Sequence, residues 1–312
     1  MTERVKKMPK SGVYDISIDD YHSDCCPDIS LSSGDLVKIA QNPAKWFAFH
    51  WSNPNAYERE DKTALAIGRA AHAIICEGSL EAGEFAIRPD EFDSYRTKDS
   101  KAWRAESIAN GLTPLTSKDV DLLSRMASAI ASSPEARHIF ELGRPEQSLA
   151  WQRDGVWLKA RPDVIPIQDP RIICDYKAVA SIDRQKITRA ITDYGWAQKL
   201  ANVADGMVNN IPTGAKGWED FDFVLICQEK SPPYEVVCVT IPHHDIADLF
   251  RLNRAVIAEF KQSRESGVWR GQHDGFVEYN PGDWMINHLS KRYGGLDGLP
   301  ARENIFEMEQ AA

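Results

Sequence analysis

Two carboxylates and an ammonium group stand close together near the middle of the chain: Asp163 before a short turn, Asp175 and Lys177 after it. Side chains alternate along an extended strand, so Asp175 and Lys177 share a face. The turn Gln168-Asp169-Pro170-Arg171 reads as the link of a hairpin that brings Asp163 alongside them. Both acids are embedded in apolar runs, VIPI and IIC. Two close carboxylates repel, and partial burial adds a desolvation penalty. A hard divalent cation relieves both; Mg²⁺ favours one or two carboxylates together with water and phosphate oxygens. The backbone carbonyl of Tyr176 lies between the two side chains as a further ligand. Protonated Lys177 cannot bind a metal, but it can orient or deprotonate an attacking water and stabilise charge on a phosphorus centre. An exposed hairpin with an ordinary Asp–Lys pair, contributing little, is the competing reading of the same spacing.

Strands must carry these residues. Segments 147–151, 155–167 and 171–179 have the β-branched and aromatic content of strands, and 221–229 with 234–241 reads as a second pair turned at Ser231-Pro232-Pro233. Helices flank them. Residues 31–51 open on serines suited to an N-cap, then space Leu36, Ile39 and Ala40 helically until Pro43 interrupts. Residues 63–77 form an Ala-rich helix with apolar residues on most faces. Segments 117–132, 181–205 and 245–264 are also helical, whereas 88–113 is charged and irregular. The order implies one α/β domain with a central mixed β-sheet flanked by helices and an N-terminal helical extension. Its parts are an extension over 1–62, a core over 63–265 and a C-terminal segment over 266–312.

The chain has 312 residues, 43% hydrophobic and 27% charged, with a net charge of −9. That balance argues against a protein coating nucleic acid through a general basic surface, yet permits a confined basic groove beside metal-holding carboxylates. The start, MTERVKKMPKSG, is basic without a following apolar run, so a frayed tail rather than a signal peptide is expected. No stretch approaches the roughly 20 apolar residues of a membrane span. The six cysteines form no CxxC or CxxxC pair, which excludes a zinc ribbon, and they read as reduced cytoplasmic thiols.

Four segments in order resemble the PD-(D/E)XK nuclease superfamily, in its RecB-like branch and the phage RecE-type exonucleases. They are SLSSGDLVKIAQNPAKW at 30–46, Gly68-Arg69-Ala70-Ala71-His72, Arg161-Pro162-Asp163 with Asp175-Tyr176-Lys177, and YGWAQKLANVADG at 194–206. Together they extend over residues 30–206, within the first two-thirds of the chain. The resemblance implies a restriction-endonuclease-like core. It implies that Asp163, Asp175 and the Tyr176 carbonyl bind metal and that Lys177 is the catalytic lysine. His72 matches a family histidine that ligates or flanks the metal; without the resemblance, a satisfied core histidine would be the ordinary reading. Gly68 shares its helix face and permits close approach of backbone or DNA. Glu146 resembles a family glutamate preceding the Asp163-type strand, against the alternative of an ordinary exposed glutamate. Arg69 and Arg161 are phosphate-contact candidates, with salt-bridged arginines as the equal alternative.

The fourth segment departs from the pattern. With Tyr194-Gly195 and Asp205-Gly206 aligned, the family glutamine falls at Lys199, and Gln198 is one residue early. One step rotates a side chain by about 100° on a helix. Either the register shifts and Gln198 serves catalysis, or Lys199 replaces it as a DNA contact. The implied activity is Mg²⁺-dependent exonucleolysis of duplex DNA ends, 5′→3′, with Mn²⁺ as substitute, for phage-type recombination; a catalytically inactive DNA- or protein-binding module on the same fold, or a structure-selective endonuclease, is the alternative. The implied partners are a single-strand annealing protein and further copies in a homo-oligomeric ring, in the bacterial cytoplasm. Relatives with an iron–sulfur cluster use one early and three late cysteines; that spacing is absent here, so no cluster is expected.

Overall fold

A computed structural model describes residues 6–58, 66–78, 80, 84–92, 94–141, 143–167, 169–273, 275–279 and 291–292. The expected helix start at 63–65, Gln168 of the expected turn, and most of the C-terminal segment lie outside the described residues. The chain divides into two compact units, Met1–Gln272 and His273–Ala312. All elements below belong to the first. Among its described helices none is long and apolar enough to cross a membrane.

The unit opens with β1 (Gly12–Tyr14), α1 (Ile18–His22) and β2 (Ser30–Ser32). Helix α2 (Ser33–Gln41) starts where the serines predict: Ser32 caps it, its hydroxyl accepting from Asp35 N while Asp35 accepts from Ser32 N. Asn42 ends α2 and caps α3 (Pro43–Ala48), whose first residue is Pro43. Proline thus splits one expected helix into two, because it fits a first turn but not a helix interior. Helix α4 (Ala66–His72) passes into a π-helical turn over Ala73–Glu77.

Next come β3 (Phe85–Ile87), α5 (Lys98–Ala109), β4 (Thr113–Leu115), α6 (Ser117–Ser132) and α7 (Pro134–Glu141). Helix α5 corrects the expectation of irregular chain at 88–113. Thr97 caps it, accepting from Ser100 N, but it buries only Ser100 and Ser107 and therefore lacks an apolar stripe to read.

The remaining elements are β5 (Gly143–Pro145), β6 (Ser148–Arg153), β7 (Val156–Ala160), β8 (Val164–Pro166), β9 (Ile172–Val179), α8 (Arg184–Asp193), α9 (Trp196–Asn210), β10 (Asp222–Glu229), β11 (Val236–Thr240) and α10 (His243–Ser266). Arg161-Pro162-Asp163 breaks the single strand expected at 155–167 into β7 and β8. Tyr194-Gly195 breaks the helix expected at 181–205, with Gly195 left-handed at φ 60°. A Cβ on Gly195 would stand 2.7 Å from the Val37 methyls, so only glycine suits this break.

The sheets are mixed. One ladder has the order β1-β6-β7-β2, with β2 parallel to β7; another has the order β11-β10-β9, with β10 parallel to β9 and antiparallel to β11. The hairpin expected between β8 and β9 is not a ladder: β8 pairs with β5, and β9 with β10. Strands β9 and β10 are packed on both faces, as parallel strands usually are. Ile173, Val179 and Leu225 join one core with Leu31, Trp151 and Phe260, while Cys174, Tyr176 and Ile226 join another with Leu123 and Met126.

Candidate metal centre

Asp163 sits in the break between β7 and β8 and is 8% exposed. Its Oδ2 accepts the Tyr176 backbone N–H at 2.6 Å, and its Oδ1 lies 2.9 Å from His72 Nε2. The side chain thus makes the link to β9 that a hairpin ladder would otherwise have made. His72 Nδ1 lies 3.4 Å from Glu146 Oε1, and Glu146 Oε2 accepts from Arg161 Nε. Glu146 holds φ at 55°, a costly backbone for a non-glycine residue, at the end of β5. Arg161 Nη1 continues the chain of contacts, donating to Ile16 O and to Ser148 Oγ, each at 2.9 Å.

On β9, Asp175 and Lys177 share a face, as alternation requires, and the Lys177 ammonium lies against Asp175 Oδ2. Lys177 Nζ also donates to Tyr176 O at 3.1 Å and stands 5.9 Å from the Trp196 ring. Despite the ion pair, the buried Asp175 Oδ2 accepts no hydrogen bond of regular geometry.

The electrostatics follow from the crowding. Burial and the nearby Asp163 charge push Asp175 up, to about 6, against the opposing pull of Lys177. Burial would also raise Asp163, but His72, Lys177 and the Tyr176 N–H hold it well below the usual carboxylate range. Burial would neutralise His72; the Asp163 charge and hydrogen bond outweigh it and raise the imidazole to about 12. Burial also raises Glu146, tempered by His72 and Arg161. Lys199 is lowered by burial and by the Lys177 charge.

The expected residues part company at helix α9. Gln198 is buried and donates from Nε2 to Asn253 Oδ1 at 2.9 Å, away from the acids, and accepts from Asn253 Nδ2 on its carbonyl. Lys199 is the residue that lines the cleft, a space of about 1080 Å³ that also borders His72, Glu146, Asp163 and Arg69. The rest of that segment is packing: Asp205 accepts from Trp151 Nε1 at 2.8 Å and from Arg153, and a Cβ on Gly206 would meet the Trp151 ring at 2.6 Å. A Cβ on Gly68 would meet nothing within 4 Å, and the residue faces the same cleft. Arg69 is exposed and donates to Thr113 Oγ1 at 2.9 Å. Arg161 has a 9% exposed side chain committed to Glu146, Ser148 and Ile16, which makes it a positioning group.

One neighbour escapes sequence reasoning. Cys76, one π-helical turn beyond His72, offers Sγ within 4.8 Å of donor atoms of His72 and Asp163. The i, i+4 spacing to His72 is its sole sequence signal, and an Ala-rich helix obscures it. Among the described residues, His72, Cys76 and Asp163 bring ligand atoms within 4.8 Å of one another, while the Asp175 and Glu146 carboxylates and the Tyr176 carbonyl, linked to them through the contacts above, are further donors of types that suit a divalent cation. Such an ion, when bound, supplies Lewis acidity toward a phosphodiester oxygen. The chain itself supplies the Lys177 ammonium, held against Asp175 and 3.1 Å from Tyr176 O, for charge developing on phosphorus or for ordering a water.

Comparisons with known proteins follow the same lines. No curated protein matches the sequence. The crystal structure of a candidate exonuclease from Eubacterium rectale is similar at a TM-score of 0.51 and 10% identity, covering 82% of this chain and 92% of that one. At that identity the likeness speaks for the fold alone. A second structure, that of SSO0001, aligns at 12% identity over 66% of this chain and 89% of its own, with a TM-score of 0.26 that carries no weight. Residues 32–276 match the family described as a PDDEXK-like domain of unknown function (DUF3799). The chain belongs to that family, and with it to the PD-(D/E)XK superfamily whose fold it has.

Proposed function

We propose that the protein is a divalent-metal-dependent deoxyribonuclease whose centre is Asp163, Asp175, Lys177, His72 and Glu146, with the Tyr176 carbonyl as an additional ligand. The observation that carries this reading is the chain of contacts that links them: His72 of α4 to Asp163 and Glu146, Asp163 to the Tyr176 N–H of β9, and Lys177 to Asp175 on the same strand. Mg²⁺ is the proposed ion, with Mn²⁺ able to substitute. Asp163 and Asp175 hold it, Lys177 stabilises charge at phosphorus, and Lys199 with Arg69 contacts the DNA backbone from the cleft.

Within this reading the substrate is the end of duplex DNA, degraded 5′→3′ for phage-type recombination, with a single-strand annealing protein taking over the exposed strand. The RecE-type resemblance of four motifs in order supports it. A homo-oligomeric ring supports processive threading and reconciles the −9 charge with DNA binding, since only its channel must be positive. The nuclease core is assigned to 63–265, and the setting to the bacterial cytoplasm.

Duplexes labelled at the 5′ or the 3′ end, and covalently closed duplexes, incubated with Mg²⁺ alongside Asp175→Ala and Lys177→Ala, test these statements. Loss of 5′ label first, no action on closed DNA, and inactivity of both variants are expected. Activity surviving both substitutions ends the proposed site; cutting of closed DNA replaces the exonuclease by an endonuclease. Light scattering with and without DNA tests the ring, which a persistent monomer removes.

A further inference from the structure

Cys76 has no place in a centre built for Mg²⁺, which takes oxygen ligands and leaves thiols alone. It nevertheless stands where a third donor would stand. The ligand atoms of His72, Cys76 and Asp163 all lie within 4.8 Å of one another, and His72 Nε2 is 2.9 Å from Asp163 Oδ1. A tetrahedral zinc ion with sulfur at about 2.3 Å and nitrogen or oxygen at about 2.0–2.2 Å separates its ligands by roughly 3.3–3.8 Å. The three donors, all within 4.8 Å of one another, lie close to that spacing.

The local backbone explains the placement. The α-helix ends at His72 and the next turn is π-helical, from Ala73 to Glu77. π-Turns are rare and concentrate at functional positions, because the widened turn re-aims the side chains around it. Here Cys76 follows His72 by four positions, and the side chain is 8% exposed beside a His72 that borders the cleft. A thiol, an imidazole and a single carboxylate form a mixed soft and borderline set, which selects zinc-like ions over magnesium. Three protein ligands leave the fourth tetrahedral position open to water.

We infer that His72, Cys76 and Asp163 form a thiolate site for a thiophilic divalent cation, Zn²⁺ above all, overlapping the Mg²⁺ centre. On binding, the Sγ–H proton and the His72 proton leave to solvent and the Sγ–Zn and N–Zn bonds form. Because Asp163 serves both ions, zinc occupancy removes a ligand from the magnesium arrangement and switches cleavage off. That inhibitory consequence rests on the nuclease reading; the binding does not.

The test therefore reads the metal without DNA. Titration of the full chain with Co²⁺ should produce a near-ultraviolet sulfur-to-cobalt charge-transfer band, absent from Cys76→Ser and kept in the Cys25→Ser/Cys26→Ser double variant. X-ray absorption of the zinc-loaded protein should find one sulfur at about 2.3 Å among nitrogen and oxygen neighbours. Zn²⁺ should also protect Cys76 from alkylation, mapped by mass spectrometry on the unaltered chain, which keeps the question answerable if Cys76→Ser does not fold. A band that survives Cys76→Ser, or zinc bound through nitrogen and oxygen alone, overturns the site. If the band appears in a protein that cleaves no DNA under any metal, the nuclease reading falls and the zinc site stands.

Discussion

The carboxylate of Asp163 accepts the backbone N–H of Tyr176 at 2.6 Å, and in doing so ties the break between two strands to the strand that carries the other acid. One oxygen of Asp163 is thus used structurally, and the other faces His72. The orientation of the Asp163 carboxylate is set by the backbone of the residue between Asp175 and Lys177.

Asp163→Asn should therefore do two separable things. Cleavage should fall by about 10²–10³-fold or more, as a metal ligand and a charge are lost. In the metal-free protein, His72 should become neutral at pH 7. Burial alone lowers the imidazole, and the Asp163 charge is what now lifts it to about 12. Imidazole chemical shifts followed across pH check this; a His72 still protonated at pH 8 in the variant contradicts it.

Metal affinity should rise with pH in the weakly acidic range. Asp175 is raised to about 6 by burial and by Asp163, so below that pH it holds a proton that a metal must displace. The sign is fixed: a carboxylate with a raised pKa is neutral at pH 5 and ionised at pH 7. That group alone contributes up to about tenfold in apparent affinity per pH unit below 6. Calorimetric Mn²⁺ titrations in buffers of different ionisation heat should register proton release at pH 5.5. Affinity unchanged between pH 5 and 7 argues that Asp175 is not a ligand.

Lys177→Met should reduce turnover by about 10²–10⁴-fold while leaving metal bound. Lys177 currently opposes the rise of the Asp175 pKa, so its removal should move that group higher and shift the metal-binding pH profile upward. A variant with full activity places the charge-stabilising role elsewhere.

The two neighbours on α9 should separate cleanly. Lys199→Ala should weaken DNA binding at low salt and flatten the slope of log affinity against log salt by about 1, the signature of one phosphate contact. Gln198→Ala should instead lower stability by about 1–3 kcal/mol, since it strands the buried Asn253 partner. Salt-dependent binding and urea unfolding of both variants decide between them.

Gly195→Ala should destabilise the fold by at least about 2 kcal/mol, from the left-handed backbone and the methyl groups of Val37. Thermal unfolding measures it. A small loss would mean that α2 and α9 move apart cheaply.

The fold class was legible in the sequence; local placements were legible too, and long-range pairings were not. Alternation along 172–179 suffices to place Asp175 and Lys177 together, because strand geometry is local. The partner of that strand is not local: β10 lies some fifty residues on and runs parallel, whereas the turn at 168–171 suggests an antiparallel neighbour next door. The choice between Gln198 and Lys199 is a matter of about 100° of helix rotation. In the structure Gln198 faces Asn253 of α10 and Lys199 faces the cleft, and a motif alignment does not contain that information. Helix α5 escapes because its buried residues are serines. Cys76 escapes because its significance depends on an Asp163 that is distant in the chain.

The pairing of β9 with β10 also governs the order in which the protein becomes itself. The hydrogen-bonded neighbour that the ladders give β9 spans Asp222–Glu229, while Arg161 anchors on Ile16, 145 residues before it. Contacts this far apart close late, since the chain must lose the freedom of long loops before they are rewarded. A nascent chain that has just exposed Asp163, Asp175 and Lys177 has the residues of the proposed centre but not yet the strand that frames them. The proposed centre is assembled only after the segment through residue 229 has emerged and folded back, so β9 gains its ladder partner with the completed fold and not before it.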